Sequence, residues 1–342
     1  MKALLLTSVM RLADNPSPLV AADVPDPVPG AGDLLLAVSA CGVCHTEIDE
    51  IEGRTPPPGF PRILGHQVVG RVVEMGPEAR DFRVGDRAGV AWIYSACGQC
   101  AYCRAGRENL CPDFRATGRD VDGGYAQMMV VPAGFAHHVP EVFSDVEAAP
   151  LLCAGAIGYR SVMLTGMQDG DTLGLTGFGA SAHLVLKMVQ HRFPRSRVFV
   201  FTRSAEERAF ARELGAAWAG DTADRAPEPV SAIIDTTPAW KPVVESLANL
   251  APGGRLVVNA IRKEERDKDQ LLRLDYAAHL WMEKQVTSVA NVTRRDVREF
   301  LQLAAEVPIR PEVEEYALVD ANRALVDITR RRIRGAKVLV VA

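Results

Sequence analysis

Four of the chain's seven cysteines fall within one short stretch, CGQCAYCRAGRENLC, as Cys97, Cys100, Cys103 and Cys111. Their spacing is C-x2-C-x2-C-x7-C. Thiolates this close together suit tetrahedral zinc or an iron–sulfur cluster. The bacterial ferredoxin run has three residues before its fourth cysteine and a proline after it. Here Pro112 follows Cys111, but seven residues precede it. The longer arm favours one closed zinc lobe. A closed site has no open coordination position and cannot bind substrate, so this stretch reads as a staple for an irregular loop. The competing reading, a redox protein built on an iron–sulfur site, predicts a coloured protein where zinc predicts a colourless one.

A second set is dispersed: Cys44 in CGVCHTEID, His66 in LGHQVVG and Cys153 in APLLCAGAIGY. Each alone reads most simply as a core residue. Two cysteines, one histidine and an open fourth position together make a catalytic zinc set. A third chemical signal is GFGASA, residues 177–182. Gly177 permits a tight turn, Gly179 lets the backbone approach a pyrophosphate, and Ala182 takes the third glycine position of the dinucleotide fingerprint. Phe178 and Ala180 lie within the turn. The helix that follows offers free N–H groups and a positive dipole end to phosphates.

The elements that must position these residues come in two textures, which meet near residue 155. Before it, short β-rich runs alternate with Gly and Pro: LLLAV (34–38), VVGRVVEM (68–75), RAGVAWI (87–93) and YAQMMVV (125–131). This predicts a loop-rich, all-β region. After it, TLGLT (172–176), a helix over 180–192, RVFVF (197–201), a helix over 205–214, AIID (232–235) and RLVVN (255–259) alternate as in a doubly wound parallel sheet. The last strand, KVLVV (337–341), is expected to return to the first domain.

Taken in order, CGVCHTE, GHQVVGRVVEMG, the four-cysteine lobe, CAGAIGY and GFGASA resemble the medium-chain, zinc-dependent alcohol dehydrogenases over essentially the whole chain. The resemblance implies an α/β protein with a β-rich, GroES-like catalytic domain, residues 1–154 and 293–342, and an inserted Rossmann domain, 155–292. It implies two zincs per chain. Cys44, His66 and Cys153 would hold the catalytic one, and Cys97, Cys100, Cys103 and Cys111 the structural one. Thr46 would take the proton of the substrate alcohol, Glu47 would fix the His66 tautomer, His45 would reach the cofactor pyrophosphate and Trp92 would line the alcohol pocket. Zinc would act as a Lewis acid, and hydride would pass to the nicotinamide in a cleft between the domains. Bulky Trp92 narrows the pocket, while Thr55 stands where some relatives carry a second large aromatic, so the expected reaction is reversible oxidation of primary alcohols to aldehydes; a homodimer or homotetramer is expected. Sugar, polyol and aromatic alcohol dehydrogenases of the same family remain open.

Four positions depart from the pattern or refine it. Gln67 stands where the family usually has Glu, which removes a charge near the metal. Asp49 stands where many members place the His that ends the proton relay, and a carboxylate has a lower unperturbed pKa, about 3.9 against 6.5. Asp49 or water would end the relay. Ile157 replaces a usual Thr behind the nicotinamide. At the end of the second strand of the Rossmann half, VFVFTRS, Thr202 stands where NAD-selective proteins carry an acid. Arg203 and Ser204 follow, and a guanidinium can hold a 2′-phosphate bidentately. This favours NADP(H) over NAD(H).

Composition bounds the rest. The 342 residues carry a net charge of −4 and no basic stripe, which argues against nucleic-acid binding. The N-terminal MKALLLTSVMR reads as a strand rather than a signal peptide, and no apolar run is long enough for a membrane span. A cytoplasmic location, where thiols stay reduced, is expected.

Overall fold

The computed structural model describes residues 1–307, 309–329 and 335–341. They form two compact units, Met1–Ala156 with Asn291–Ala342, and Ile157–Ala290. The fold is the expected α/β combination of a β-rich unit and a parallel-sheet unit.

The first unit contains β1 (Lys2–Leu6), β2 (Leu19–Asp23), β3 (Asp33–Val43), β4 (Arg62–Ile63), β5 (Gln67–Met75), β6 (Arg87–Val90), β7 (Ile93–Ser95), β8 (Arg115–Ala116), β9 (Met128–Pro132) and β10 (Ala136–His138). Its main sheet runs β10-β6-β5-β3 and continues into two strands from the chain's end, described below. The central pairing is β3 with β5, antiparallel, with Gly42 opposite Gln67. One face buries Leu34, Leu36, Val68 and Tyr125. Each such aliphatic or aromatic side chain contributes about 1.5–3 kcal/mol when fully buried. Helix α1 (His45–Ile51) leaves the end of β3 directly, and α2 (Ala101–Arg104) is one short turn inside the cysteine lobe.

A helical run then leads out of this unit through α3 (Asp145–Pro150), a π-turn over Leu151–Gly155 and α4 (Ala156–Thr165). By length and composition Asp145–Thr165 could cross a bilayer, but 67% of its most apolar window is buried inside the protein, as in a core helix.

The second unit holds β11 (Thr172–Thr176), α5 (Ala180–Arg192), β12 (Arg197–Phe201), α6 (Ala205–Glu213), β13 (Trp218–Gly220), β14 (Val230–Asp235), α7 (Lys241–Leu247), β15 (Leu250–Val258) and β16 (Gln285–Ser288). All its strand pairs are parallel, in the order β13-β12-β11-β14-β15-β16. The winding therefore reverses between β11 and β14, and ligands of such sheets bind outside the carboxyl ends of the strands at that point. The chain then re-enters the first unit with α8 (Arg294–Glu306), β17 (Val313–Ala317), α9 (Ala321–Thr329) and β18 (Ala336–Val340). Strand β18 pairs antiparallel with β3, as expected of the terminal apolar run.

Candidate active site and metal centres

Cys44 is the N-cap of α1. Its Sγ accepts from the Thr46 backbone N–H at 3.3 Å, and its own N–H donates to Glu47 Oε2 at 2.9 Å. This is a capping box with a thiol in the place of a hydroxyl. The other oxygen of Glu47, Oε1, lies 2.5 Å from His66 Nδ1. An ionised carboxylate only accepts hydrogen bonds, so Nδ1 carries the proton and Nε2 presents its lone pair. Nε2 lies 3.3 Å from Cys153 Sγ. His66 is brought there by Gly65, whose φ of +96° suits glycine; a Cβ at that position would lie 2.4 Å from the Tyr125 ring. Cys153 sits on the π-turn, a local widening of the helix common at functional sites.

The ligand atoms of Cys44, His66 and Cys153 lie within 4.8 Å of one another. The neighbouring Cys153 thiol and burial hold the Cys44 thiol well above its usual range. Burial opposes charge on His66, but the Glu47 carboxylate and Cys44 outweigh it and raise its pKa. Two thiols and a buried imidazole converging on one point are the donor set of a metal ion of zinc type.

The sulfurs of Cys97, Cys100, Cys103 and Cys111 form the second group within 4.8 Å. Cys111 Sγ is 3.5 Å and Cys103 Sγ 3.9 Å from Cys97 Sγ. Tetrahedral Zn–S bonds of about 2.3 Å imply sulfurs about 3.8 Å apart. A cluster of several irons, each with its own thiolate, would spread them further, so the spacing fits one ion. Backbone N–H groups of Cys97, Cys100 and Cys103 donate to sulfurs of the group. N–H groups of Gln99 and Cys100 bring the Cys97 thiol down to about 7, while burial and Cys100 push Cys103 up to about 12. Glu108 fastens the lobe to the start of α8, accepting from Arg294 N at 3.0 Å and Arg294 Nε at 3.2 Å.

The remaining candidates fall as follows. Thr46 Oγ1 lies 3.3 Å from Cys44 Sγ, beside the first metal set. His45 is exposed at the start of α1. Asp49 is buried, and Arg54 Nε donates to its Oδ1 at 2.5 Å, a partner that sequence spacing did not reveal. Gln67 is buried against Gly42, where a Cβ would come within 2.7 Å of the amide. Trp92, between β6 and β7, breaks what the sequence reads as one strand. Its ring lies 5.4 Å from Phe114 and 5.9 Å from the Arg119 guanidinium, and its buried Nε1 has no hydrogen-bond partner among the described residues.

In the second unit, Gly177 follows β11 with φ +76°, and a Cβ there would lie 2.9 Å from Thr236 Oγ1. Gly179 is the N-cap of α5 and makes no side-chain cap, so the first N–H groups of the helix have none. A Cβ on Gly179 would meet nothing within 4 Å. An uncapped helix start over open space fits a phosphate. Phe178 is buried against the Phe210 ring at 5.6 Å, so its side chain packs the core rather than facing that space. Ala180 opens α5, and Ala182 is fully buried on it. Thr202 is buried at the end of β12 and bonds the carboxylate of Glu207. Ser204 caps α6, and Arg203 is exposed. The acid absent from the strand thus arrives from the helix. The S-x-x-E of Ser204–Glu207 is a helix-start signature that could have revealed it.

A family profile described as "Alcohol dehydrogenase GroES-like domain" matches residues 30–141. The "Probable alcohol dehydrogenase AdhA" of Mycobacterium tuberculosis is 44% identical over 332 residues, 96% of this chain and 93% of that one. An "Alcohol dehydrogenase" of Geobacillus stearothermophilus is 32% identical over 319 residues, 90% of this chain and 91% of the relative. A solved putative zinc-binding dehydrogenase from Sinorhizobium meliloti, bound to NADP, superimposes with a TM-score of 0.84 at 26% identity and 99% coverage of both chains.

Proposed function

The chain belongs to the medium-chain, zinc-dependent alcohol dehydrogenase family and is an NAD(P)-dependent alcohol dehydrogenase, and on that premise we propose a division of labour among its residues. The observation that carries it is the convergence of Cys44, His66 and Cys153 within 4.8 Å, with Glu47 fixing the histidine. We assign these three residues to a catalytic zinc and the four-cysteine lobe to a structural one. When bound, zinc would supply Lewis acidity at the open ligand position and the nicotinamide would supply a hydride acceptor.

The chain's own residues do the rest. Three protein ligands leave the fourth position open. Thr46, beside Cys44, accepts a hydrogen bond from the substrate hydroxyl and relays the proton by passing its own hydroxyl proton on toward solvent. Asp49 is engaged by Arg54, which supports solvent rather than Asp49 as the end of the relay. Trp92 walls the substrate side with an apolar ring, and Thr55 in place of a large aromatic leaves room. This supports primary alcohols and aldehydes, with medium or aromatic chains accepted. The uncapped start of α5 supports binding of the cofactor's phosphates there.

For cofactor choice we favour NADP(H). Arg203 is exposed and has no ion pair or hydrogen bond among the described residues. It faces opposition from Glu206 and Glu207 in the first turn of α6, and the preference is the balance of these charges. We further propose a homodimer or a homotetramer built from it, because β16 is an edge strand with Gln285, Val286, Thr287 and Ser288 all exposed. A cytoplasmic location is consistent with reduced thiols in both cysteine sets.

The test is a panel of primary, secondary, polyol and aromatic alcohols, followed at the nicotinamide absorbance band with each cofactor. Primary alcohols and NADP(H) should give the highest kcat/KM, and Arg203→Ala should shift the preference toward NAD(H). A clear preference for secondary alcohols, or for NAD(H) in the wild type, contradicts the corresponding assignment.

A further inference from the structure

The reversal point between β11 and β14 contains a buried acid. Asp235, the last residue of β14, has no exposed surface. Its Oδ1 accepts from Thr176 Oγ1 at 2.5 Å and Thr237 Oγ1 at 2.8 Å. Thr176 is the last residue of β11, so the carboxylate bridges the two strands that flank the switch point. Its Oδ2 is paired with Lys263, itself 8% exposed. Lys263 Nζ also donates to Thr237 O at 2.7 Å and Ala239 O at 3.1 Å. An ammonium has three donors, and all three are spent on the segment 235–239.

That segment is the wall behind the glycine turn. The Thr236 hydroxyl donates to Thr176 O at 2.8 Å, and Thr236 Oγ1 is the atom that a Cβ on Gly177 would strike. The loop after β15 holds the wall at further points. Asn259 N donates to Asp235 O and Glu264 N to Pro238 O, each at 2.7 Å, while Asp267 Oδ2 accepts from Trp240 N and Lys241 N at 2.8 and 2.9 Å. One polar side chain alone, Lys263, both fastens this wall and carries a charge opposite to that of Asp235.

A dinucleotide is anionic, and a buried unpaired carboxylate beside its binding turn would repel it in a medium of low dielectric. We propose that Lys263 is a positioning residue for the nicotinamide dinucleotide. It cancels the charge of Asp235 at the switch point and clamps residues 235–239 against the phosphate-binding turn at Gly177. The inference rests on the dinucleotide reading of that turn.

The experiment is fluorescence titration of the purified protein with NADPH and NADH, with the melting temperature measured in parallel. Lys263→Met should weaken the Kd tenfold or more. Lys263→Met/Asp235→Asn, which removes the orphaned charge, should recover the part of that loss due to charge, and the remainder is due to the lost clamp. Asp235→Asn alone keeps a hydrogen-bonding group without the charge and should bind at least as tightly as the wild type. If the double variant gains no affinity over Lys263→Met, or Asp235→Asn binds more weakly than the wild type, the role is structural only and the proposal fails. A melting temperature that falls while Kd stays constant also overturns it. Should Lys263→Met not fold, the Asp235→Asn titration decides alone. Absence of binding by the wild type would instead refute the dinucleotide reading itself.

Discussion

His137 shows how much a single buried side chain can set the working range of the protein. It lies in β10, 3% exposed, and neither ring nitrogen has a hydrogen-bond partner among the described residues. Burial first, and then Arg298, Arg294 and His138, bring its pKa down to about 3. In the unfolded chain it returns to about 6.5. Between these values the unfolded chain binds the proton and the folded one does not, so the contribution of His137 to stability is complete above pH 6.5 and is lost as pH falls toward 3. The slope is about 1.4 kcal/mol per pH unit within that window. His137→Leu should therefore flatten the fall in melting temperature between pH 6 and pH 4, and an unchanged slope would contradict this. His137 was not legible as special, because nothing in AHH distinguishes the buried ring from its exposed neighbour His138. The convergence of the two candidate ligand sets was legible for the opposite reason, since cysteine and histidine are rare and metal chemistry constrains their spacing. What spacing could not give is the hydrogen bonding around them, such as Arg54 on Asp49 or Glu207 on Thr202. Those contacts depend on side-chain directions set by the whole fold.

Among the elements, β16 carries the clearest unmet demand. A sheet edge presents unpaired N–H and C=O groups, and proteins usually blunt it with charge, proline or a cover. Here the edge reads QVTS, and exposed Tyr276, Trp281 and Met282 lie just before it in the chain. A second copy of the same strand, related by a two-fold axis, would pair antiparallel and cover the same patch on both subunits. Sedimentation should show a dimer or tetramer for the wild type and a smaller species for Val286→Lys; a monomeric wild type would contradict the proposal. The alternation of strands and helices from β11 to α6 was legible because apolar runs of about five residues are bounded by Gly or turn residues. Strands β13 and β16 were not legible. Trp218–Gly220 is too short to carry a period, and QVTS has the composition of a loop. Their pairing comes from neighbouring strands rather than from local preference. Likewise RAGVAWI divides into β6 and β7, and the break places Trp92 between them.

At the scale of the molecule, two candidate ligand groups, one of three residues and one of four, lie in one folding unit, and on our proposal only the three-residue group leaves a coordination position for a substrate. The set at Cys44, His66 and Cys153 is assembled from α1, the approach to β5 and a π-turn, far apart in sequence. The four-cysteine lobe is local, spanning fifteen residues with one short α-helix and one 3-10 turn. Removing a ligand from the first should abolish chemistry with the fold intact. Removing one from the second should mainly lower stability, because a closed site contributes its binding energy to folding. The most direct measurement is zinc content together with alcohol oxidation in the wild type, Cys153→Ser and Cys103→Ser. The account predicts two zincs per chain in the wild type, a folded but inactive Cys153→Ser, and a Cys103→Ser that melts at a lower temperature while the protein that remains folded still turns over substrate. One zinc per chain in the wild type, or full activity in Cys153→Ser, would contradict it.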